Sequence, residues 1–411
     1  MLSIIETNVS RGSSWHTAAV FLVVSSLTSV APTSAGELNL LLITGYKQAY
    51  NLDHETALTT FRRTIETNPN DPAAYRGVAA SIWLRILLLR GAVPIDNYLI
   101  GSFGDPSETV DDQPNGLNAM FEEYVDRAIK LSEASVQVNP DDPNAHYELG
   151  AAVGLDASYR AAIRGETFRQ LFAAKRAYNA HERVLELDPN RDDAKLLIGI
   201  YQYVVSTLPR AFRMVAYLVG FDGAKEDAIE MVTTAAAYPG AAQVEAQLAL
   251  VFLLNRERNY ARAQRVFSQL ERAYPRNRLM WLESASIWLR GERPAMADLT
   301  LMHGFERLQG DDRPRMFGED AVWHLKRGTA RAAVGLKKSA RIDLLRALRG
   351  TAPLWVWGRA HLELGKIFDL SGNRMMAQMH YDNSRRLCDD AKDRRCKRSA
   401  DRFLDYPYTG Q

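Results

Sequence analysis

One spacing recurs four times in this 411-residue chain, and it limits what the chain can fold into. A small residue is followed four and three positions later by further small or apolar residues, and five positions after that by proline. The four runs are Ala57, Phe61, Thr64, Pro69; Ala128, Ser132, Ser135, Pro140; Ala177, His181, Val184, Pro189; and Ala263, Phe267, Leu270, Pro275. Steps of three and four place such residues on one face of a helix. The residue before proline is pushed out of the helical region, so each run reads as a helix that stops there. A second signature falls on the alternate helices: Leu149-Gly150, Ile198-Gly199, Arg327-Gly328 and Leu364-Gly365, the last continuing to Phe368, Gly372, Ala377 and Tyr381. Helical periodicity runs from Leu38 to Leu404 and strand signals are nearly absent.

These residues resemble the tetratricopeptide repeat (TPR) superfamily, whose unit is a 34-residue helix–turn–helix. Phasing the signatures gives repeat starts near 38, 72, 109, 143, 158, 192, 209, 244, 278, 321 and 358, and four of the intervals are 34 residues. The resemblance implies an all-α, TPR-type helix-turn-helix solenoid, a right-handed superhelix or a closed helical bundle, with an inserted loop and an extra helix. It is nearest in character to exported bacterial TPR proteins. Close crossing is expected at Gly150 with Ala177 and at Gly365 with Ala377, where small residues let the two backbones approach.

The chain divides along this pattern. Residues 1–35 read as a signal peptide, with an apolar stretch over 17–31 and a cleavage site before Gly36. That stretch is short for a bilayer span of about 20 residues, and an uncleaved anchor is the alternative. The expected destination is therefore the periplasm or the cell exterior. First TPR-like helices occupy 36–90, and an acidic insertion occupies 91–119, with Asp96, Asp105, Glu108, Asp111 and Asp112 and no Lys or Arg. The insertion reads as a stabilising element or as a lid over the groove. A central array with extended helices spans 120–310 and carries an inserted helix near 209–219; 311–387 holds further repeats, and 388–411 a capping helix and tail.

In the resembled family the first helix of each repeat lines an inner groove. Carried over by phase, this places Arg76, Trp83, Tyr147, Leu196, Tyr203, Phe252 and Asn255 on the inner face, with Arg160, Arg164 and Arg213 near one end. The set is apolar and aromatic, and it lacks the paired Lys and Asn with which resembling proteins hold a peptide carboxylate. Two arrangements stay open: a closed bundle whose aromatics are core, or a groove for a protein segment, an extended peptide, or a small apolar or anionic ligand. Cys388 and Cys396, the two cysteines, lie where the last repeat helix turns into the cap and are placed to form a disulfide.

No G-x-S-x-G, H-E-x-x-H, P-loop or G-x-G-x-x-G motif occurs, so neither catalysis, a cofactor nor a metal is expected. A hydrophobic content of 46% and a charged content of 24% exclude a disordered chain and a polytopic membrane protein. The net charge of +2 gives no case for nucleic acid. Charge is uneven, however: 311–411 has 21 Lys plus Arg against 13 Asp plus Glu, a balance of +8, and the remainder is −6. Contact of the basic terminal run with an anionic membrane is left open.

Overall fold

The computed structural model describes residues 34–99, 116–163, 167–207, 224–240 and 242–410. The signal segment up to Thr33, the insertion from 100 to 115, Arg164 and the segment 208–223 with Arg213 lie outside the described residues. Within them the chain forms eighteen α-helices and no strand. The helices pair in order: α1 (Ser34–Tyr50) with α2 (His54–Thr67), α3 (Pro72–Leu89) with α5 (Leu117–Val138), and α6 (Pro143–Ile163) with α7 (Thr167–Leu187). Then come α8 (Lys195–Ser206) with α9 (Lys225–Ala237), α10 (Gln243–Arg256) with α11 (Tyr260–Ala273), and α12 (Arg278–Arg290) with α13 (Pro294–Gln309). The last pairs are α14 (Glu319–Ala333) with α15 (Lys337–Ala347) and α16 (Leu354–Asp369) with α17 (Arg374–Asp390), capped by α18 (Arg394–Asp405). A short helix, α4 (Ile95–Leu99), opens the insertion between α3 and α5.

The proline-terminated signature falls on the second helix of four pairs, as part of its buried stripe. Ala57, Phe61 and Thr64 are buried on α2, Ala177, His181 and Val184 on α7, and Ala263, Phe267 and Leu270 on α11. First helices are starts made by sequence: Asp71 caps α3 by accepting from the Ala73 N–H at 3.0 Å, and Pro72 occupies the first turn. A Cβ on Gly150 would lie 2.2 Å from His181 Nδ1 and 3.0 Å from the Ala177 carbonyl, so the α6–α7 crossing closes on a glycine as its sequence implies. At Gly365 the atom in the way is the Tyr381 ring at 2.4 Å, not Ala377, because the next turn of α17 projects its aromatic into the space above the small residue. One helix, α3, is long and apolar enough to cross a membrane by length and composition; most of its side chains, including Trp83 and Ile86, are buried in the array.

The array also closes on itself. Asn277, before α12, donates through Nδ2 to the Tyr50 carbonyl at 2.7 Å, and the Tyr50 hydroxyl donates to Glu245 on α10. Arg313 reaches from the α13–α14 connection to the Asn51 carbonyl and to Asp53 Oδ1 at 3.1 Å. The Phe317 N–H donates to the Leu88 carbonyl at the end of α3, at 3.0 Å. The first two pairs thus sit against the fifth, sixth and seventh.

Gly150→Ala should lower stability by about 1–3 kcal/mol in urea denaturation, because the added methyl meets a buried ring and a carbonyl. Gly350→Ala, with nothing within 4 Å of the new methyl, should shift the midpoint little.

Candidate functional site

The inner-face residues all lie on first helices, as their phase requires, and all are buried. Arg76 and Trp83 are on α3, Tyr147 on α6, Leu196 and Tyr203 on α8, and Phe252 and Asn255 on α10. They bond to their neighbours. Arg76 donates to Glu148 through Nε at 2.8 Å and Nη2 at 3.0 Å, and to the Tyr46 hydroxyl at 3.2 Å. Burial opposes its charge, but the Glu148 carboxylate overcomes that and raises its proton affinity further. Trp83 packs edge-on to Tyr159, which stacks on Phe121. The Tyr203 hydroxyl donates to Glu257 at 2.7 Å, and Arg256 lies over both Tyr203 and Phe252. Arg160, half-buried at the end of α6, donates through Nε to both oxygens of Asp156 at 2.8 and 2.9 Å. The structure brings these residues into one interior, without an open groove at the described positions.

What fills that interior is α4. Tyr98 meets Phe252 edge to face at 6.3 Å, and its hydroxyl donates to the Ala92 carbonyl at 2.6 Å. Asp96 is buried and accepts from three cations on three first helices: Lys326 of α14 at 2.6 Å, Arg359 of α16 at 2.9 Å and Arg290 of α12 at 3.2 Å. Burial alone would raise its carboxyl; the three cations outweigh this and hold it well below the usual carboxylate range. Arg290 also donates to Glu283 and, through Nε, to Asn255 Oδ1 at 2.7 Å. The Ile95 N–H donates to Glu283 Oε2 at 3.2 Å. Asp96, Glu283, Arg290, Lys326 and Arg359 form an ionic core that sequence reading did not single out. The signal available was an acid flanked by apolar residues, Ile95 and Tyr98, inside an otherwise acidic loop; the cations come from repeats remote in sequence.

The core continues to the carboxy-terminal cap. Arg359 Nε donates to Asp393 at 2.7 Å, and Asp393 caps α18 by accepting from the Cys396 N–H at 3.1 Å. Cys388 and Cys396 are joined in a disulfide that links α17 to α18. Their sulfurs and the Asp393 carboxylate lie within 4.8 Å, a ligand-like spacing, yet the sulfurs are bonded to each other and the carboxylate is taken by Arg359. A crevice of about 320 Å³ opens at the seam with the first pair, lined by Arg276, Arg278, Arg307, Asp311 and Arg313 among others. Its inner arginines are structural: Arg278 pairs with Glu319 at 2.6 Å and Asp311 at 3.0 Å, and Arg313 with Asp311 at 2.7 Å.

With this geometry in view, the comparisons with known proteins can be placed. Residues 193–303 match the family model Iml2/Tetratricopeptide repeat protein 39, a little over a quarter of the chain. This match and the eight helical pairs give the chain the architecture of the tetratricopeptide repeat proteins. No curated protein matches the chain in sequence. Among solved structures it is similar to yeast Tom70, at 13% identity over 91% of this chain and 96% of that one, with a TM-score of 0.39. It is also similar to the human IFIT1 dimer with m7Gppp-AAAA, at 10% identity over 93% and 85% with a TM-score of 0.42. A third is YrrB, a TPR protein with an unusual peptide-binding site, at 13% identity over 66% and 97% with a TM-score of 0.31.

Asp96→Asn should destabilise the fold by about 3–5 kcal/mol in denaturant titration, because three buried cations lose their shared anion. Asp71 gives a pH dependence of opposite character. Burial, with Glu148 nearby, pushes its carboxyl up to about 6 from 3.8. The folded state therefore holds that proton more tightly than the unfolded chain, and stability falls as pH rises from about 4 to about 6. Asn keeps the cap and removes the charge, so Asp71→Asn should be more stable than the parent at pH 7 by on the order of 1–3 kcal/mol and similar to it at pH 3.5. Thermal melts at the two pH values check this.

Proposed function

We propose that this chain is a non-catalytic binding scaffold that engages a protein partner in the periplasm or cell envelope. The observation that carries the reading is the closed interior: eight helical pairs bond inward through Asp96, Arg76 and their partners, so the array offers its outer surface and edges for recognition. A rigid array suits docking, since little side-chain or loop order is lost on association. Export is supported by the apolar 17–31 stretch and by the Cys388–Cys396 disulfide, a bond that persists in oxidising compartments. A carrier of a small apolar or anionic ligand needs an aromatic groove, and Tyr203 and Phe252 are instead packed against Arg256 and Tyr98.

Native mass spectrometry on the protein taken gently from its own envelope fraction tests the reading. A stoichiometric protein adduct is the expected result. A bound mass of a few hundred daltons, lost on denaturation, would replace the scaffold with a carrier. Under denaturing conditions the chain should begin at Gly36; a chain that keeps residues 1–35 and fractionates with the cytosol would remove the export assignment.

A further inference from the structure

The two ends of the array have different outer surfaces. On the second helices of the early repeats the exposed residues are polar: Glu55, Thr59, Arg62 and Glu66 on α2, and Arg265, Gln269 and Arg272 on α11. The last three second helices expose large apolar residues among their polar ones. Leu299 and Met302 are exposed on α13, Ile342 (54% exposed) and Leu345 on α15, and Met375 (76% exposed) and Met379 on α17. Between α2 and α12 the described residues expose one large apolar side chain, Val138; between 296 and 379 they expose ten.

Helix α15 buries Asp343 beside Ala340, Leu344 and Ala347, and exposes Ile342 and Leu345. Asp343 is 1% exposed and accepts from His324 Nδ1 at 2.9 Å, from Arg327 at 2.7 and 2.9 Å, and from Arg331 at 2.8 Å. The outward residues Ile342 and Leu345 are interleaved with Lys338, Arg341 and Arg346, and the helix exposes no acid. The three second helices follow one another along the array, each joined to the next through the first helix between them. Arg331 bridges Asp298 of α13 and Asp343 of α15, and Lys337 Nζ donates to the Leu370 carbonyl at 3.0 Å, bringing the α14–α15 and α16–α17 turns together. Beyond them α18 exposes Arg394, Arg395, Arg398 and Arg402. The exposed acids nearby, Glu306 on α13, Asp389 and Asp390 on α17 and Asp405 on α18, sit towards helix ends, and Asp382 within α17 pairs with Arg385 and Arg386.

We propose that this apolar and basic outer face, formed by α13, α15 and α17 with α18 at its edge, docks the array on the surface of an anionic lipid bilayer. Aliphatic and methionine side chains enter the headgroup boundary, and lysine and arginine meet the lipid phosphates, the division of labour of an interfacial amphipathic helix. The exposed apolar residues are spread over three successive second helices, which suits a broad surface better than a single peptide. Its basic residues have the charge sign that an anionic leaflet attracts. This goes beyond the scaffold reading and does not depend on it.

The test is local, so that insertion of the 17–31 stretch is not mistaken for docking. Both native cysteines are in the disulfide, so one cysteine can be introduced and labelled with an environment-sensitive fluorophore in the full chain. A label at Met375→Cys should shift to the blue with vesicles containing one third phosphatidylglycerol, and be quenched by a lipid-borne quencher. It should respond little to pure phosphatidylcholine. A label at Thr59→Cys, on the polar outer face of α2, should not respond. Arg341→Gln with Arg346→Gln should weaken vesicle partition of the Met375→Cys reporter about tenfold or more, with the thermal midpoint unchanged because both side chains are exposed. An unresponsive Met375→Cys label, or an equal response at Thr59→Cys, overturns the proposal. A shift that grows with protein concentration and needs no vesicle also overturns it, and assigns the face to a second copy of the chain.

Discussion

The packing of the interior depends on one buried carboxylate. Asp96 lies where helices α12, α14 and α16 face the start of the insertion, and it receives Arg290, Lys326 and Arg359 together. Removing an isolated carboxylate from water costs several kcal/mol, and a single cation seldom recovers that. Three cations, two of them shared with Glu283 and Asp393, bring the local charge to balance and satisfy the donors. The arrangement is directional where aliphatic packing is not. An apolar plug could slide along the inner face; an aspartate held by three fixed donors sets the position of α4, and with it Tyr98 against Phe252.

That placement explains why the array closes instead of remaining an open superhelix. Repeat proteins contact nearest neighbours, so their ends are free unless something joins remote repeats. Here α4 leaves the second pair and binds the sixth, seventh and eighth, while Asn277 and Arg313 fasten the first pair to the same region. Arg359 passes the connection to Asp393 and the disulfide-linked cap. The capping hairpin and the insertion are thus parts of one ionic chain, and the amino-terminal pairs are held in place by the carboxy-terminal ones.

The helical pairs were legible in the sequence because their determinants are local. A small residue and its partners four and seven positions on report the crossing of the two helices of a pair, as Ala177 does with Gly150. The inner-face assignment followed from the same phase, and it placed Arg76, Trp83, Tyr147 and Tyr203 on first helices. Whether those residues line a groove or fill one was not legible. That depends on α4, and on cations at 290, 326 and 359 whose spacing from Asp96 has no period. Read along the chain, Asp96 is one of five acids in a loop; only the tertiary fold distinguishes it from the others.

Helix α15 fails to be legible for a related reason, and the failure is informative. Its sequence, KKSARIDLLRA, invites the reading that Ile342 and Leu345 face the core and Asp343 faces water. The helix is turned the other way, because Arg327, Arg331 and His324 on α14 all point at one position and a carboxylate there meets them at 2.7–2.9 Å. With Ala340, Asp343, Leu344 and Ala347 inside, helical geometry leaves Ile342 and Leu345 on the outward side. Exposed aliphatics on α15 are therefore a consequence of the buried ion cluster. The same cannot be said of Leu299 and Met302 on α13 or Met375 and Met379 on α17, whose buried stripes are Ala297, Leu301 and Gly304, and Ala377, His380 and Tyr381. Three successive second helices thus carry exposed aliphatic or methionine side chains above differently built buried stripes.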